Sequence, residues 1–292
     1  MDDKAFAQLK KGGKMRQVTG GLFSVRLHLF AGRLTTAQTR AIAEAADRFG
    51  GGRVHITSRQ GIEIPDVTHD ALAPLEAFLA AHDVGMGVCG PTVRTVTACQ
   101  GTGVCPSAII DSPDLAGELD RRYYGQSVPH KFKMGVSGCA NNCLKAEEND
   151  VGFKGWIEPR WVSDDCIVCD ICATVCPVGA VTVLPDEERV ALDLAACIGC
   201  GDCITSCVSG SMVEGAKGYA VYAGGKLGRV PRLGRRVAGV LPSREEALDV
   251  ADALVEFFRL HGEARERFGA TLQRTGLDAL EAFIGQRTRA PS

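Results

Sequence analysis

Cys166, Cys169, Cys172 and Cys176 stand at C-x2-C-x2-C-x3-C and are followed by Pro177. Cys197, Cys200, Cys203 and Cys207 repeat the spacing, with Val208 where the proline stood. Three thiolates on one tight loop can wrap three corners of an iron–sulfur cube. The fourth then comes from elsewhere and ties two halves together. In the two-cluster form of this pattern the last cysteine of each run serves the other cubane. The expected sets are therefore Cys166, Cys169, Cys172 with Cys207, and Cys197, Cys200, Cys203 with Cys176. Two further pairs follow a different grammar: Cys99-x5-Cys105 in "TACQGTGVCP" and Cys139-x3-Cys143 in "SGCANNC". Four thiolates there can hold a third cubane or a zinc ion, and spacing alone leaves both open.

Composition sets the limits around those ligands. Thirteen cysteines are an odd count at short spacings, which speaks for metal rather than a disulfide framework. Net charge is −2 and the pI about 6.3, so no global basic field points to nucleic acid or an acidic membrane. No apolar run reaches the 18 or so residues of a membrane span. The start, "MDDKAFAQLKKGGKMRQ", is charged and lacks an apolar signal-peptide core, so the expected location is the cytoplasm. With 292 residues, 45% of them hydrophobic, the chain can build one large domain or two ordinary ones.

The elements that must position the cysteines can be read in outline. "QVTGGLFSVRLHLF" alternates as a strand, with Val25, Leu27 and Leu29 on one face and Arg26 and His28 on the other. "TTAQTRAIAEAADRFGG" reads as a helix with a Thr start and a Gly stop. "RVHITSRQGIEIP" reads as strand–turn–strand and "THDALAPLEAFLAAHD" as a second helix, giving a β-α-β-β-α order over 18–83. A short helix is expected at 113–124, a strand in "KFKMGVSG", and helices in "SREEALDVADALVEFFRLHG" and "ARERFGATLQRTGLDALEAFIG". The fold class is α+β.

The C-x5-C and C-x3-C pairs also carry a resemblance. The sequence is similar to the sirohaem-containing sulfite and nitrite reductase family, and within it to the short, single-repeat catalytic chains of the anaerobic sulfite reductase type. "RLHLFAG", "HITSRQGIEIP", "TVRTVTAC", "HKFK" and "YAGGKLGRVPRLG" resemble family segments in family order, over about residues 15–285. The resemblance implies a ferredoxin-like half domain over 1–90 and a sirohaem/[4Fe-4S] domain over 91–158 and 214–292. Between its parts it implies an inserted two-cluster ferredoxin domain over 159–213. It implies sirohaem and three [4Fe-4S] clusters, with Cys99, Cys105, Cys139 and Cys143 holding the third cluster. Cys143 is then shared with the haem iron.

The resemblance further assigns Arg26, Arg94, Lys131 and Lys133 to the substrate anion, and Arg59 to the haem carboxylates. The chemistry agrees. Sirohaem has eight carboxylates, and one unit charge pair at 4 Å is worth about 4 kcal/mol at an effective dielectric of 20, so unbalanced anions would not stay. Arginine's fork suits flat oxyanions and lysine can also move a proton. Lys131 and Lys133 lie two apart on a strand, so both heads face one side. His28 stands where relatives often have a second arginine, and Ala140 replaces a common proline while Asn141 is retained. The implied reaction is six-electron reduction of sulfite to sulfide, with nitrite to ammonia as the alternative and a non-catalytic electron carrier or redox sensor as the rival. No flavin or nicotinamide site is visible, so an external donor is implied: a ferredoxin or dedicated electron-transfer subunits. A homodimer with active sites shared between chains is implied by larger relatives that carry two copies of the repeat.

Four signals are discounted. "GMGVCG" (85–90) matches G-x-G-x-x-G but follows a helix and runs into proline, the reverse of a dinucleotide loop. Cys89 within it reads as a buried or incidental thiol, and His55 as a core histidine. The Arg-rich 228–236 stretch reads as a loop at the haem or cluster.

Overall fold

Residues 3–288 are described by the structure, a computed structural model, and the architecture is mixed α+β. The first layer contains α1 (Asp3–Lys11), β1 (Lys14–Arg16), β2 (Leu22–His28), α2 (Thr36–Phe49), β3 (His55–Ile56), β4 (Ile62–Thr68), α3 (Leu72–Ala80) and β5 (Gly85–Met86). Strands β1, β2, β4 and β3 pair antiparallel in that order, and β5 joins β2. Phe23, Val25 and Leu27 of β2 are buried against α2 and α3 residues such as Ile42, Ala45, Leu75 and Leu79. Their alternation leaves Ser24, Arg26 and His28 on the other face. Helix α2 starts with a capping box in which Thr35 and Gln38 satisfy each other's backbone N–H. His55 is exposed, not a core residue, because two-residue β3 is an edge strand with nothing over it.

The second layer starts with β6 (Thr97–Ala98), α4 (Ser112–Tyr123), β7 (Met134–Ser137) and β8 (Val151–Trp161). There follow α5 (Ile171–Thr174), β9 (Val181–Leu184), β10 (Arg189–Leu192) and α6 (Asp202–Thr205), then β11 (Met212–Ala223), β12 (Arg235–Arg236), α7 (Arg244–His261), α8 (Phe268–Thr275) and α9 (Leu277–Thr288). The order in the five-stranded sheet is β12-β11-β8-β7-β6, with β6, β7 and β8 parallel and the rest antiparallel. Its core holds the rings of Phe132, Phe258 and Phe268, whose centroids are 5.3–5.4 Å apart. The expected last helix is two helices, because Gly276 takes a positive φ of 88° that breaks it.

Between β8 and β11 the chain leaves this sheet. The β9–β10 hairpin and the single turns α5 and α6 enclose a small apolar cluster of Val181, Val190, Cys203 and Met212. The segment is tied to the sheet by Ile157 N–H to Gly199 O (3.1 Å) and Val162 N–H to Ser211 O (2.7 Å). Among the described residues no helix is long and apolar enough to cross a membrane.

Candidate active site and cysteine pockets

A cleft of about 300 Å3 is lined by Arg26, Arg59, Arg94, Lys131 and Lys133. Phe132 is fully buried between the two lysines, so alternation sends both amines to the cleft. Phe132 also bridges Val93 in parallel, which sets Arg94 beside them. Arg59 is held by its neighbour: the Gln60 amide donates to Ala98 O (2.8 Å) and accepts from Ala98 N–H (3.0 Å), clamping the turn to β6.

The five cations are not equivalent. Arg26 is paired with Glu63 through Nη2 (2.6 Å) and Nε (2.9 Å). Arg94 donates to the carbonyls of Val88 and Gly90, and Arg59 to Asn149 Oδ1 (2.7 Å) and Thr95 O (3.0 Å). Among the described residues the amines of Lys131 and Lys133 have no hydrogen bond or ion pair, which leaves them for an incoming anion. Burial, then the Arg59 and Arg267 charges, pull the Lys133 ammonium down to about 8, against the opposing pull of Asp150. Burial likewise brings Arg59 down to about 10.

Sequence reasoning missed the support behind these lysines. Buried Asp150 accepts from Arg267 Nη2 (2.8 Å) and from the Lys133 backbone N–H (2.9 Å). Burial raises its carboxyl and Arg267 lowers it. No local signal announces a pair 117 residues apart. His28, which the resemblance sets among the haem-binding residues, meets Asp120 Oδ2 through its Nε2 at 2.7 Å, and its ring stacks on Tyr124 at 3.6 Å. The carboxylate on α4 draws the ring away, and His28 lines neither this cleft nor its neighbour. Asn141 is exposed, and its backbone bonds to Cys139.

A second cleft, also about 300 Å3, shares Ser58, Arg59 and Lys133 with the first and adds Cys143, Lys145 and Asn149. Cys99 leaves the end of β6 and Cys139 the end of β7, which are parallel neighbours paired at Ala98 and Val136. Gly138 N–H donates to Cys99 Sγ at 3.0 Å. Burial raises the Cys139 thiol, and neighbouring Cys105, Cys143 and Cys99 raise it further.

The other eight cysteines form two groups. Cys176, Cys197, Cys200 and Cys203 ring one pocket; Cys166, Cys169, Cys172 and Cys207 ring another. Each pocket takes its fourth thiol from the opposite run. Burial and then Cys200, Cys197 and Cys176 push the Cys203 thiol up to about 12, so thiolates here need a cation beside them. Backbone N–H groups of Ala180, Gly199 and Met212 donate to Cys176, Cys197 and Cys207 at 3.2–3.3 Å. Such bonds suit cluster thiolates. Four thiols around one pocket are the donor set of a cubane, whose corner irons each take one.

Leu227, the residue before the Arg-rich 228–236 stretch, lines the Cys143 cleft, and Arg236 within the stretch lies 4.2 Å over the Trp156 ring. Cys89 is buried and accepts from Arg26 Nη1 at 3.2 Å.

Comparison with known proteins agrees with this architecture. The nitrite and sulphite reductase 4Fe-4S domain matches residues 89–291, and the nitrite/sulfite reductase ferredoxin-like half domain matches 15–82. The chain is 29% identical over 241 residues to the coenzyme F420-dependent sulfite reductase of Methanocaldococcus jannaschii, covering 82% of this chain and 38% of that protein. It is 29% identical over 194 residues to a subunit of the anaerobic sulfite reductase of Salmonella typhimurium, covering 61% of this chain and 56% of that one. The chain thus spans well under two thirds of the length of these relatives. The crystal structure of dissimilatory sulfite reductase I shares the fold at a TM-score of 0.72 and 21% identity, over 93% of this chain and 72% of that one. The two domain matches cover nearly the whole chain, and it belongs to the sirohaem sulfite and nitrite reductase family.

Proposed function

We propose that this chain is a sirohaem-dependent sulfite reductase taking sulfite to sulfide by six electrons, with three [4Fe-4S] clusters. The observation that carries the reading is that Lys133 and Cys143 line one cleft, which shares Ser58, Arg59 and Lys133 with the cleft of Arg26, Arg94 and Lys131. An electron carrier or sensor has no use for free lysine amines beside a cysteine group. When bound, sirohaem and the cubanes supply the iron and the electrons. Cys143 would be the ligand shared between haem and cluster, with Cys99, Cys105 and Cys139 completing its set; the other two sets are the cysteines that ring the two pockets. Arg59 and Lys145, which line the Cys143 cleft, would hold the carboxylates of the haem. Lys131 and Lys133 hold the oxyanion, and Lys133, titrating near neutral pH, can give a proton from Nζ and take one back. Asp150 and Arg267 fix the strand from which Lys133 projects.

The domains follow the three apolar clusters: 1–90, then 91–158 with 214–292, and the inserted ferredoxin domain over 159–213. Electrons come from an external ferredoxin or electron-transfer subunits. Nitrite is the second substrate reading, supported by the family's two anions, and kcat/KM for each decides between them. Anaerobically purified protein should hold about 13 iron atoms per chain, four per cubane and one for the haem, with sirohaem absorbance. About eight irons and no haem band would sink the reading.

A two-fold homodimer with shared sites is the proposed assembly. Co-expressing a Lys131→Ala/Lys133→Ala chain with a Cys143→Ser chain, differently tagged, should return about half of wild-type activity to the mixed dimer. Mixed dimers that stay dead would mean that the site is completed within one chain and would overturn the shared-site assembly.

A further inference from the structure

The three cysteine groups are strung along one strand. β8 begins beside β7, whose end leads through Gly138 to Cys139, and the register pairs Ser137 with Lys154. Three residues on, the Ile157 N–H bonds to Gly199 O, inside the Cys197–Cys200 loop. At the far end Trp161 lines the pocket of Cys166, Cys169, Cys172 and Cys207. At about 3.3 Å per residue, the steps from Lys154 to Ile157 and on to Trp161 are about 10 and 13 Å.

Two adjacent residues fill the first step. A Cβ at Gly155 would lie 2.1 Å from Gly138 O, so β8 lies directly against the residue before Cys139. A Cβ at Gly199 would lie 2.3 Å from the Trp156 ring, so the indole rests on the main chain between Cys197 and Cys200. Two missing side chains thus bring one dipeptide against both cysteine loops. The buried indole Nε1 has no hydrogen-bond partner among the described residues. An apolar side chain would avoid that cost, so what the indole offers at this position is its ring. At the strand's far end Cys169 is exposed, whereas Cys203 is buried.

We infer that the Gly155–Trp156 step is the conduit joining the Cys176/Cys197/Cys200/Cys203 group to the Cys99/Cys105/Cys139/Cys143 group, and that the Cys166/Cys169/Cys172/Cys207 group is the outer one, where electrons arrive. This rests on the cubane reading given above. Each transfer would move one electron: from the inner ferredoxin-type group to the haem-side group, from the outer group to the inner one, and from the external donor, oxidised by one, to the outer group. No bond or proton moves, and Trp156 itself is neither oxidised nor reduced.

The iron content and spectrum of the unmodified holoenzyme are taken first, since a low count ends the cubane reading itself. Trp156→Leu and Trp156→Phe are then mixed anaerobically with reduced donor, and cluster and haem bands are followed by stopped flow. The expected result for Trp156→Leu is full iron, an unchanged first reduction of the ferredoxin-type groups, and onward reduction slowed by about tenfold to a hundredfold. Trp156→Phe, which keeps a ring, should fall between. Unchanged onward transfer in fully loaded Trp156→Leu overturns the conduit. Should that variant lose iron, dipolar EPR on Cys169→Ser decides the order. The altered cluster signal should belong to the ferredoxin-type group that couples weakly to the haem iron. An altered signal in the strongly coupled group would reverse the order and overturn the proposal.

Discussion

The cysteine-rich segment between β8 and β11 and the helix-covered sheet around Phe132 are built on opposite terms. Around Phe132 the apolar core runs through β6–β8, β11, α4 and α7–α9, and packing holds the backbone in place. Between β8 and β11 the apolar cluster has four buried members, one of them a cysteine. A core that small does not offset the conformational entropy of ordering some 50 residues. There the proposed ligands must hold the fold, whereas around Phe132 the fold holds the ligands. Cys99 and Cys139 are placed by parallel strands that exist without them, and Cys166 to Cys207 create the loops on which they lie.

Removing iron should therefore separate the two regions, and this is the largest expected effect. Metal binding that doubles as folding is worth on the order of 10 kcal/mol in small metal-held domains. Chelated protein should be nicked by protease within 159–213 while Phe257 and Phe258 of α7 stay in a protected fragment, read by mass spectrometry. Uniform digestion of the whole chain would show that the two regions fold as one.

At the cleft the effect should be on rate and not on fold. Lys131→Ala with Lys133→Ala should lower sulfite turnover with an artificial donor by on the order of a hundredfold to a thousandfold, with iron and haem content unchanged. Neither amine is tied to the protein, so removing both costs little packing. Wild-type turnover would remove them from the chemistry.

What could be read from the sequence divides along the same line. Ligand spacing is local, so the twelve grouped cysteines and their crossed sets were legible, as was the alternation of Lys131, Phe132 and Lys133. The long β8–β11 pair was not. Val151–Ile157 is buried on both faces, so it shows no period of two. Pro159 in the same strand argues against a strand reading, and the register shifts between Glu214 and Lys217 opposite it. The His28–Asp120 pair spans 92 residues and the Arg267–Asp150 pair 117, so neither left a local signal.

The Lys133 environment makes a smaller, graded prediction. Its ammonium is lowered from the ordinary lysine value to about 8, so it is mainly protonated at neutral pH and loses its proton as pH rises through 8. If that proton serves the reaction, kcat/KM should fall on the alkaline side with a midpoint near 8, after correction for the anion's own titration. Lys133→Arg keeps its charge there, so its lower activity should show no such fall. An alkaline limb that survives Lys133→Arg would assign the titration to another group.

The smallest effect separates a cysteine that belongs to neither region from the twelve that do. Cys89 is sealed in the first layer, accepting from Arg26 Nη1 at 3.2 Å and lying 3.9 Å from Met15 Sδ. Its bonded neighbours are a cation and a thioether rather than a second thiol, so it has no means of sharing a cluster. Cys89→Ser keeps an acceptor for Arg26 and loses the soft contact with Met15, a change worth about 1 kcal/mol of stability. Arg26 also keeps both bonds to Glu63, which fix its guanidinium from the other side. Iron per chain should be unchanged and sulfite KM nearly so. Loss of four irons would make Cys89 a ligand and break the division between the thiol that fills a core and the thiols that stand in for one.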